Sequence, residues 1–157
     1  MHVPDNFLLQ FSELHEACID ASSLIYAQKA GFLAELQHAL TLYTVSAVLA
    51  EAGISVDSIH LICAPGKMLP PDGQLIQCAL ARQLPVISED KHILLTIKRA
   101  GLPYYNALMM LNWLFFKDII DQAHYEDSLR SLHTFARYSE KVWQYGAAVH
   151  KVIQKHS

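Results

Sequence analysis

Short apolar runs alternate with amphipathic segments over residues 17–105. Four runs have the β-branched, aromatic and aliphatic character of buried strands. One ends at Ile19, and the others cover 42–45, 59–63 and 84–87. Tyr104-Tyr105 is a shorter fifth candidate. Because helical periodicity follows the runs, the pattern predicts βα units on a central, mostly parallel sheet.

Helical spacing alone marks the two ends of the chain. Near the N-terminus, Phe7, Leu8, Phe11 and Leu14 predict a short helix, with Asp5 available as its cap. From position 107 onward only helical periodicity remains. We therefore expect a single α/β domain over 1–157, in three layers (α/β/α). It comprises an N-terminal helical extension (1–16), an α/β core (17–115) and a C-terminal helical tail (116–157).

Turn chemistry places the boundaries between these elements. Ser46 is the expected cap of the helix after the second strand, and Gly53 lies where that helix should end. Residues 64–71, APGKMLPP, predict an irregular loop because of their prolines and glycine. Asp72 then opens the next helix.

Composition narrows the function classes. Apolar residues make up 52% of the chain and charged residues 17%, which is typical of a packed globular protein. A net charge of −3 excludes a global field that attracts nucleic acid, so any phosphate contact depends on a local patch.

The positions of the cysteines, histidines and apolar runs narrow the choice of compartment and metal. Cys18, Cys63 and Cys78 lack C-x-x-C spacing and fall in apolar runs, which indicates buried thiols in a reducing compartment. The nine histidines lack zinc-ligand spacing. No secretory signal or membrane-length apolar run is present, so we expect a cytoplasmic protein without membrane contact.

Four acids occupy comparable positions: Asp20 after the first strand, Glu51 on the helix after the second strand, Asp72 at a helix start, and Asp90 after the run 84–87. In a parallel sheet these positions share one edge, where ligands bind. The alternative for each acid is a helix cap or a solvated helix face. For Asp20, capping by Ser22 or Ser23 would leave the carboxylate available to a metal.

Clustered carboxylates repel one another unless a cation compensates their charge. Their hard oxygens suit Mg²⁺ or Mn²⁺ better than zinc. A divalent ion held there can activate water and stabilise charge on a phosphodiester, and two-metal sites space the ions about 3.5–4 Å apart. The acids therefore predict a metal site at this edge.

The order of these motifs resembles the PIN domain, a compact α/β/α nuclease fold. The resemblance rests on IDASSLI at 19–25, TVSAVLAE at 44–51, DGQLIQCALA at 72–81 and LPVISEDK at 84–91. The break Gly101-Leu102-Pro103 before Tyr104 completes it. It covers roughly residues 17–115.

The resemblance implies a divalent-metal-dependent endoribonuclease in which Asp20, Glu51, Asp72 and Asp90 are the catalytic, metal-site acids. Ser22 and Ser88 match small polar residues that support the first and last acid. The family often acts as the toxin of a toxin–antitoxin pair, so RNA and an antitoxin protein are the implied partners. Whether Glu89 joins the site stays open.

Substrate contacts are less defined by the sequence. Lys91 and Arg82 are candidates for phosphate binding, and ordinary solvated charges are the alternative. The tail carries Val142, Tyr145, Val149 and Val152 at near-heptad spacing, which suits packing on the domain, a homodimer or an antitoxin-like segment.

Three other functions are alternatives to the nuclease. A non-catalytic PIN-like module that binds a protein partner through its C-terminal helices is the main alternative. A phosphatase built on Asp20 is disfavoured because neither Ala21 nor Ser22 supplies a second acid. A dinucleotide enzyme is disfavoured further, since no G-x-G-x-x-G follows a strand.

Overall fold

Five parallel strands and nine helices make up the part of the chain that the computed structural model describes, residues 3–54, 58–62 and 69–156. The strands are β1 (Glu16–Ile19), β2 (Thr41–Thr44), β3 (His60–Leu61), β4 (Val86–Ile87) and β5 (Tyr104–Tyr105). The helices are α1 (Phe7–Glu13), α2 (Ala21–Ala30), α3 (Leu33–Ala39), α4 (Ser46–Ala52), α5 (Pro71–Arg82), α6 (Lys91–Arg99), α7 (Ala107–Phe116), α8 (Gln122–Phe135) and α9 (Glu140–Lys155).

The strand order is β3-β2-β1-β4-β5, with β1 at the centre. Cys18 pairs with Tyr43 on one side and Val86 on the other, both in parallel register. Ala17, Cys18 and Ile19 are fully buried, because parallel strands are covered on both faces. The predicted α/β class is confirmed, and every pairing in the described sheet is parallel. All five strands therefore present their carboxyl ends at one edge.

Helices cover the two faces of this sheet. The chain steps from β1 through β2 to β3 in one direction, and from β4 to β5 in the other. Since parallel crossovers are right-handed, α2 and α3 lie on one face and α6 on the opposite face. Packing agrees, because α5 contacts α6 whereas α2 contacts α3, α7 and α8. The arrangement is consistent with the predicted three-layer α/β/α fold.

Three predicted boundary features are wrong. The N-cap of α1 is Asn6 rather than Asp5, and it makes no side-chain cap hydrogen bond. Ser46 is the first residue of α4, and extended Val45 occupies the cap position. Pro71 lies inside α5 as its first residue, where its missing N–H costs nothing. The rest of the loop prediction from 64 to 68, and Cys63, lie outside the described residues.

The helical tail packs on its own domain through α7. Buried Asn112 on α7 donates from Nδ2 to the carbonyl of Gly146 on α9 at 3.1 Å. Its Oδ1 accepts the hydroxyl of Tyr125 on α8 at 2.8 Å. The indole of Trp113 donates to the carbonyl of Phe11 at 3.0 Å, which joins α7 to α1. The end helices thus form one unit with the core.

Candidate functional site

Asp20 lies where β1 ends and is the N-cap of α2. Its side chain is buried, with 4% of the residue exposed. Oδ1 accepts the N–H of Ala21 at 2.8 Å. Oδ2 accepts the hydroxyl of Ser88 at 3.0 Å and that of Ser22 at 3.4 Å. Asp20 therefore caps its own helix, contrary to the expectation that Ser22 or Ser23 does so.

Charge concentrates around this carboxylate. Burial raises the pKa of Asp20, and the negative charges of Asp72 and Glu51 raise it further. The hydrogen bonds from Ala21 and Ser88 act in the opposite direction, since they favour the charged form. Asp72 and Glu51 therefore each lie within electrostatic range of Asp20, and these three residues are called the acidic cluster below.

Glu51 and Asp72 approach Asp20 from two helices. Glu51 is exposed in the last turn of α4, and Asp72 is half-buried in the first turn of α5. Ion pairs among the described residues join His15 to Glu16 and Arg130 to Asp127 only. No cationic side chain in that part of the chain forms an ion pair with the three acids.

Ser22 and Ser88 connect the end of β1 to the segment after β4. Besides donating to Asp20, the Ser88 oxygen accepts the N–H of Asp90 at 3.0 Å. The Ser22 oxygen accepts the N–H of Glu89 at 3.4 Å. Both serines fix the backbone near Asp20, and their supporting role in a metal site stays a prediction.

Asp90 makes the contacts of a helix cap. Its Oδ1 accepts the N–H groups of His92 at 2.8 Å and Ile93 at 3.0 Å, at the start of α6. This is the alternative that the sequence left open for each acid. A contribution of Asp90 to a metal site stays a prediction.

Glu89 is the polar residue whose role the sequence did not define. It accepts hydrogen bonds from the hydroxyls of Ser23 and Tyr138, and its Oε2 accepts the N–H of Ala107 at 3.0 Å. Burial raises the pKa of Glu89, with a smaller contribution from the charge of Asp20. Glu89 therefore joins α2, α7 and the segment before α9 directly beside the acidic cluster. Its position after a strand is the only sequence signal for this role.

The two predicted phosphate contacts lie at different places. Lys91 is exposed and begins α6, directly after Asp90 and at the same edge as the acids. Arg82 is the last residue of α5, whose first turn carries Asp72. Its guanidinium lies 5.7 Å from the ring centre of Tyr43. The length of α5 separates Arg82 from the acids, so the geometry favours Lys91 alone.

Asp20, Glu51 and Asp72 offer carboxylate oxygens, which are the ligands that suit a hard divalent cation. No family profile, curated protein or solved structure matches the chain. Across residues 3–54, 58–62 and 69–156, no three His, Cys, Asp or Glu side chains are already arranged to hold one metal ion. Within the same ranges, none of the helices is both long and apolar enough to cross a membrane.

Proposed function

We propose that the chain is a divalent-metal-dependent ribonuclease of the PIN-domain kind, hydrolysing RNA phosphodiester bonds at the carboxyl edge of its sheet. One observation carries the proposal. Buried Asp20 lies in the field of Glu51 and Asp72, and no ion pair in the described residues offsets that field. Such a concentration of negative charge favours a bound cation.

The residues have distinct roles in this proposal. Asp20, Glu51 and Asp72 would hold Mg²⁺ or Mn²⁺, joined by Asp90 from the start of α6. A metal held by these residues would supply an activated water and would stabilise the charge that develops on the phosphodiester. Ser22 and Ser88 hold Oδ2 of Asp20 in place through their hydroxyls.

The environment of the cluster serves binding and orientation. Asp20 caps α2, so the N-terminal end of that helix favours its negative charge. The exposed ammonium of Lys91 is placed to contact a phosphate of the RNA. A cytoplasmic location, a toxin role, an antitoxin partner and a homodimer are further parts of the proposal.

The first experiment compares the wild-type chain with Asp20→Asn and with Asp118→Asn as a matched control. Asp118 is exposed beyond α7 and has a positive φ of 59°, which asparagine tolerates. Calorimetric Mn²⁺ titration measures metal binding, and a fluorescent single-stranded RNA reports cleavage. We expect Asp20→Asn to reduce cleavage by about 100-fold or more, equivalent to about 2.7 kcal/mol of barrier.

Circular dichroism and thermal unfolding check that both variants remain folded. Wild-type cleavage in Asp20→Asn would contradict the proposal. A wild-type chain with neither a Mn²⁺ site nor RNA cleavage would favour the non-catalytic binding module instead.

A further inference from the structure

A groove of about 680 Å³ lies away from the acidic cluster. Its walls come from α1, α6, α7, α9 and the consecutive residues 101–106 around β5. Phe7, Leu94, Leu102 and Val142 give it a largely aliphatic and aromatic lining. None of Asp20, Glu51, Asp72 and Asp90 lines it, so the groove is a separate feature.

The groove includes the free edge of the sheet. β5 is the last strand in the order and pairs with β4 on one side. Val86 N–H donates to Pro103 and Ser88 N–H to Tyr105, at 3.1 and 3.0 Å. Because Tyr104 stands opposite Val86 in this parallel register, its own N–H and C=O point away from β4. Tyr104 is 40% exposed, and no strand of the described sheet pairs with this side of β5.

The charge of the groove has one sign. Lys98 on α6 and Lys141 on α9 are the charged residues that line it in the described part of the chain. Neither lysine forms an ion pair among those residues. A ligand with carboxylates would therefore meet uncompensated positive charge on two walls of an apolar groove.

We propose that the groove binds an extended acidic peptide segment of a partner protein, which adds a strand to β5. The backbone of the peptide would pair with the N–H and C=O of Tyr104. Alternate apolar side chains would enter the lining, and flanking carboxylates would contact Lys98 and Lys141. Strand addition of this kind draws affinity from main-chain hydrogen bonds and specificity from side-chain pockets.

Other occupants fit the groove less well. Single-stranded RNA binds to a series of exposed stacking surfaces. Among the aromatic rings of the described residues that line the groove, Phe7, Phe11 and Tyr105 are buried and only Tyr104 is exposed. A second copy of this chain would bring a net charge of −3 but no defined extended acidic segment. The experiment distinguishes these two occupants from an acidic peptide.

The experiment selects linear peptides from a phage-displayed random library on the immobilised full chain. We expect enrichment of sequences in which Asp or Glu alternates with apolar residues. Synthetic versions are then titrated by calorimetry against the wild type and against Lys98→Glu/Lys141→Glu. The charge reversals should weaken binding by about tenfold or more, since close charge pairs stabilise interfaces.

Two controls separate strand addition from general attraction. Lys151→Glu/Lys155→Glu changes two exposed lysines of α9 outside the groove and should leave the affinity unchanged. Methylation of the peptide nitrogens that face Tyr104 should weaken binding. Methylation of the nitrogens that face away from Tyr104 should leave the affinity unchanged.

Several results would overturn the proposal. They are failure to enrich any peptide, selection of basic sequences, and binding that survives both groove charge reversals. Competition of the selected peptide by poly(U) would assign the groove to RNA. Concentration-dependent dimerisation that Lys98→Glu/Lys141→Glu abolishes would assign it to a second copy. Each measurement is independent of nuclease activity.

Discussion

The hydroxyl of Ser88 donates to Oδ2 of Asp20 at 3.0 Å, across 68 positions of sequence. The Oγ of Ser88 also accepts the N–H of Asp90 at 3.0 Å. Ser88 itself is fully buried. One side chain therefore couples the ionisation of Asp20 at the end of β1 to the backbone after β4.

Ser88→Ala should raise the pKa of Asp20 further, because the lost hydrogen bond favours the charged carboxylate. It should also destabilise the fold by about 1–3 kcal/mol, since a buried acceptor and a backbone donor lose their partner. Carbon-13 NMR titration of the Asp20 carboxyl and urea unfolding measure the two effects. Ser46→Ala, at an exposed position that makes no cap, is the control. An unchanged Asp20 titration would show that the Ser88 contact does not stabilise the carboxylate.

Substitution of Asp90 separates capping from metal binding. Asp90→Asn should keep the cap of α6, because asparagine accepts the same N–H groups, but should weaken Mn²⁺ binding and RNA cleavage. Asp90→Ala should also weaken Mn²⁺ binding and RNA cleavage. In addition it should destabilise the fold by about 1 kcal/mol, because the cap of α6 is lost. Calorimetry and urea unfolding measure these effects. Wild-type metal affinity in Asp90→Asn would limit Asp90 to its capping role.

Glu89 should be important for stability. Glu89→Ala leaves the N–H of Ala107 and the hydroxyls of Ser23 and Tyr138 without their acceptor. We expect a loss of several kcal/mol in unfolding free energy, because each unpaired buried donor costs about 1–3 kcal/mol. Tyr138→Phe removes one donor to Glu89 and the acceptor of the Leu108 N–H, so it should cost less, about 1–2 kcal/mol. Equal stability of the two variants would contradict this account.

The same Tyr138→Phe variant tests the electrostatics of Glu89. Its pKa should rise further in Tyr138→Phe, because the hydroxyl favours the charged carboxylate. The Glu89 carboxyl titration, followed by NMR, checks this direction. Tyr43→Phe, on β2, is a matched control.

Hydrophobic periodicity predicted the parts of the fold that depend on burial. Ile19 ends a strand whose last three residues are fully buried, and the acid that follows it lies at the sheet edge as expected. Strand order, in contrast, depends on pairings such as Cys18 with Val86, which no local pattern encodes. Helix boundaries were also predicted imperfectly, since Ser46 begins α4 without making the expected cap.

The polar site was predictable in position but not in contacts. A carboxylate after a strand indicates the edge of the sheet, yet Asp20 and Asp90 both combine that position with capping. Glu89 depends on Tyr138, 49 positions later, so its role arises from tertiary packing of the tail. Asn112 is a comparable case, because its partners lie on two other helices.

Gly146 allows α9 to approach α7 closely. A Cβ at this position would lie 2.5 Å from Cδ2 and 2.9 Å from Cγ of Leu108. We expect Gly146→Ala to destabilise the fold by about 1–3 kcal/mol, despite the better helix propensity of alanine. In a Leu108→Ala background, Gly146→Ala should cost less unfolding free energy than it does in the wild type. A double-mutant cycle by urea unfolding measures this difference. Ala147→Gly, one position further and exposed, is the control. Additive losses would show that the two side chains do not meet.

His150 should make stability depend on pH. It stacks on Tyr125 at 3.9 Å between ring centres, and neither ring nitrogen has a hydrogen-bond partner in the described residues. Burial lowers its pKa below the ordinary value of 6.5, although Glu126 acts in the opposite direction. The unfolded chain therefore binds a proton first as the pH falls through 6.5, so His150 lowers the unfolding free energy below that pH.

Asp20 and Glu89 have raised pKa values and act with the opposite sign, since the folded state binds their protons first as the pH falls. The His150 contribution is therefore isolated by comparing His150→Phe with the wild type at each pH. The phenyl ring keeps the stacking on Tyr125 and cannot titrate, so its advantage over the wild type should grow as the pH falls below 6.5. Urea unfolding at a series of pH values checks this, with exposed His92→Gln as the control. A constant difference between His150→Phe and the wild type across that range would show that His150 titrates alike in the folded and unfolded chains.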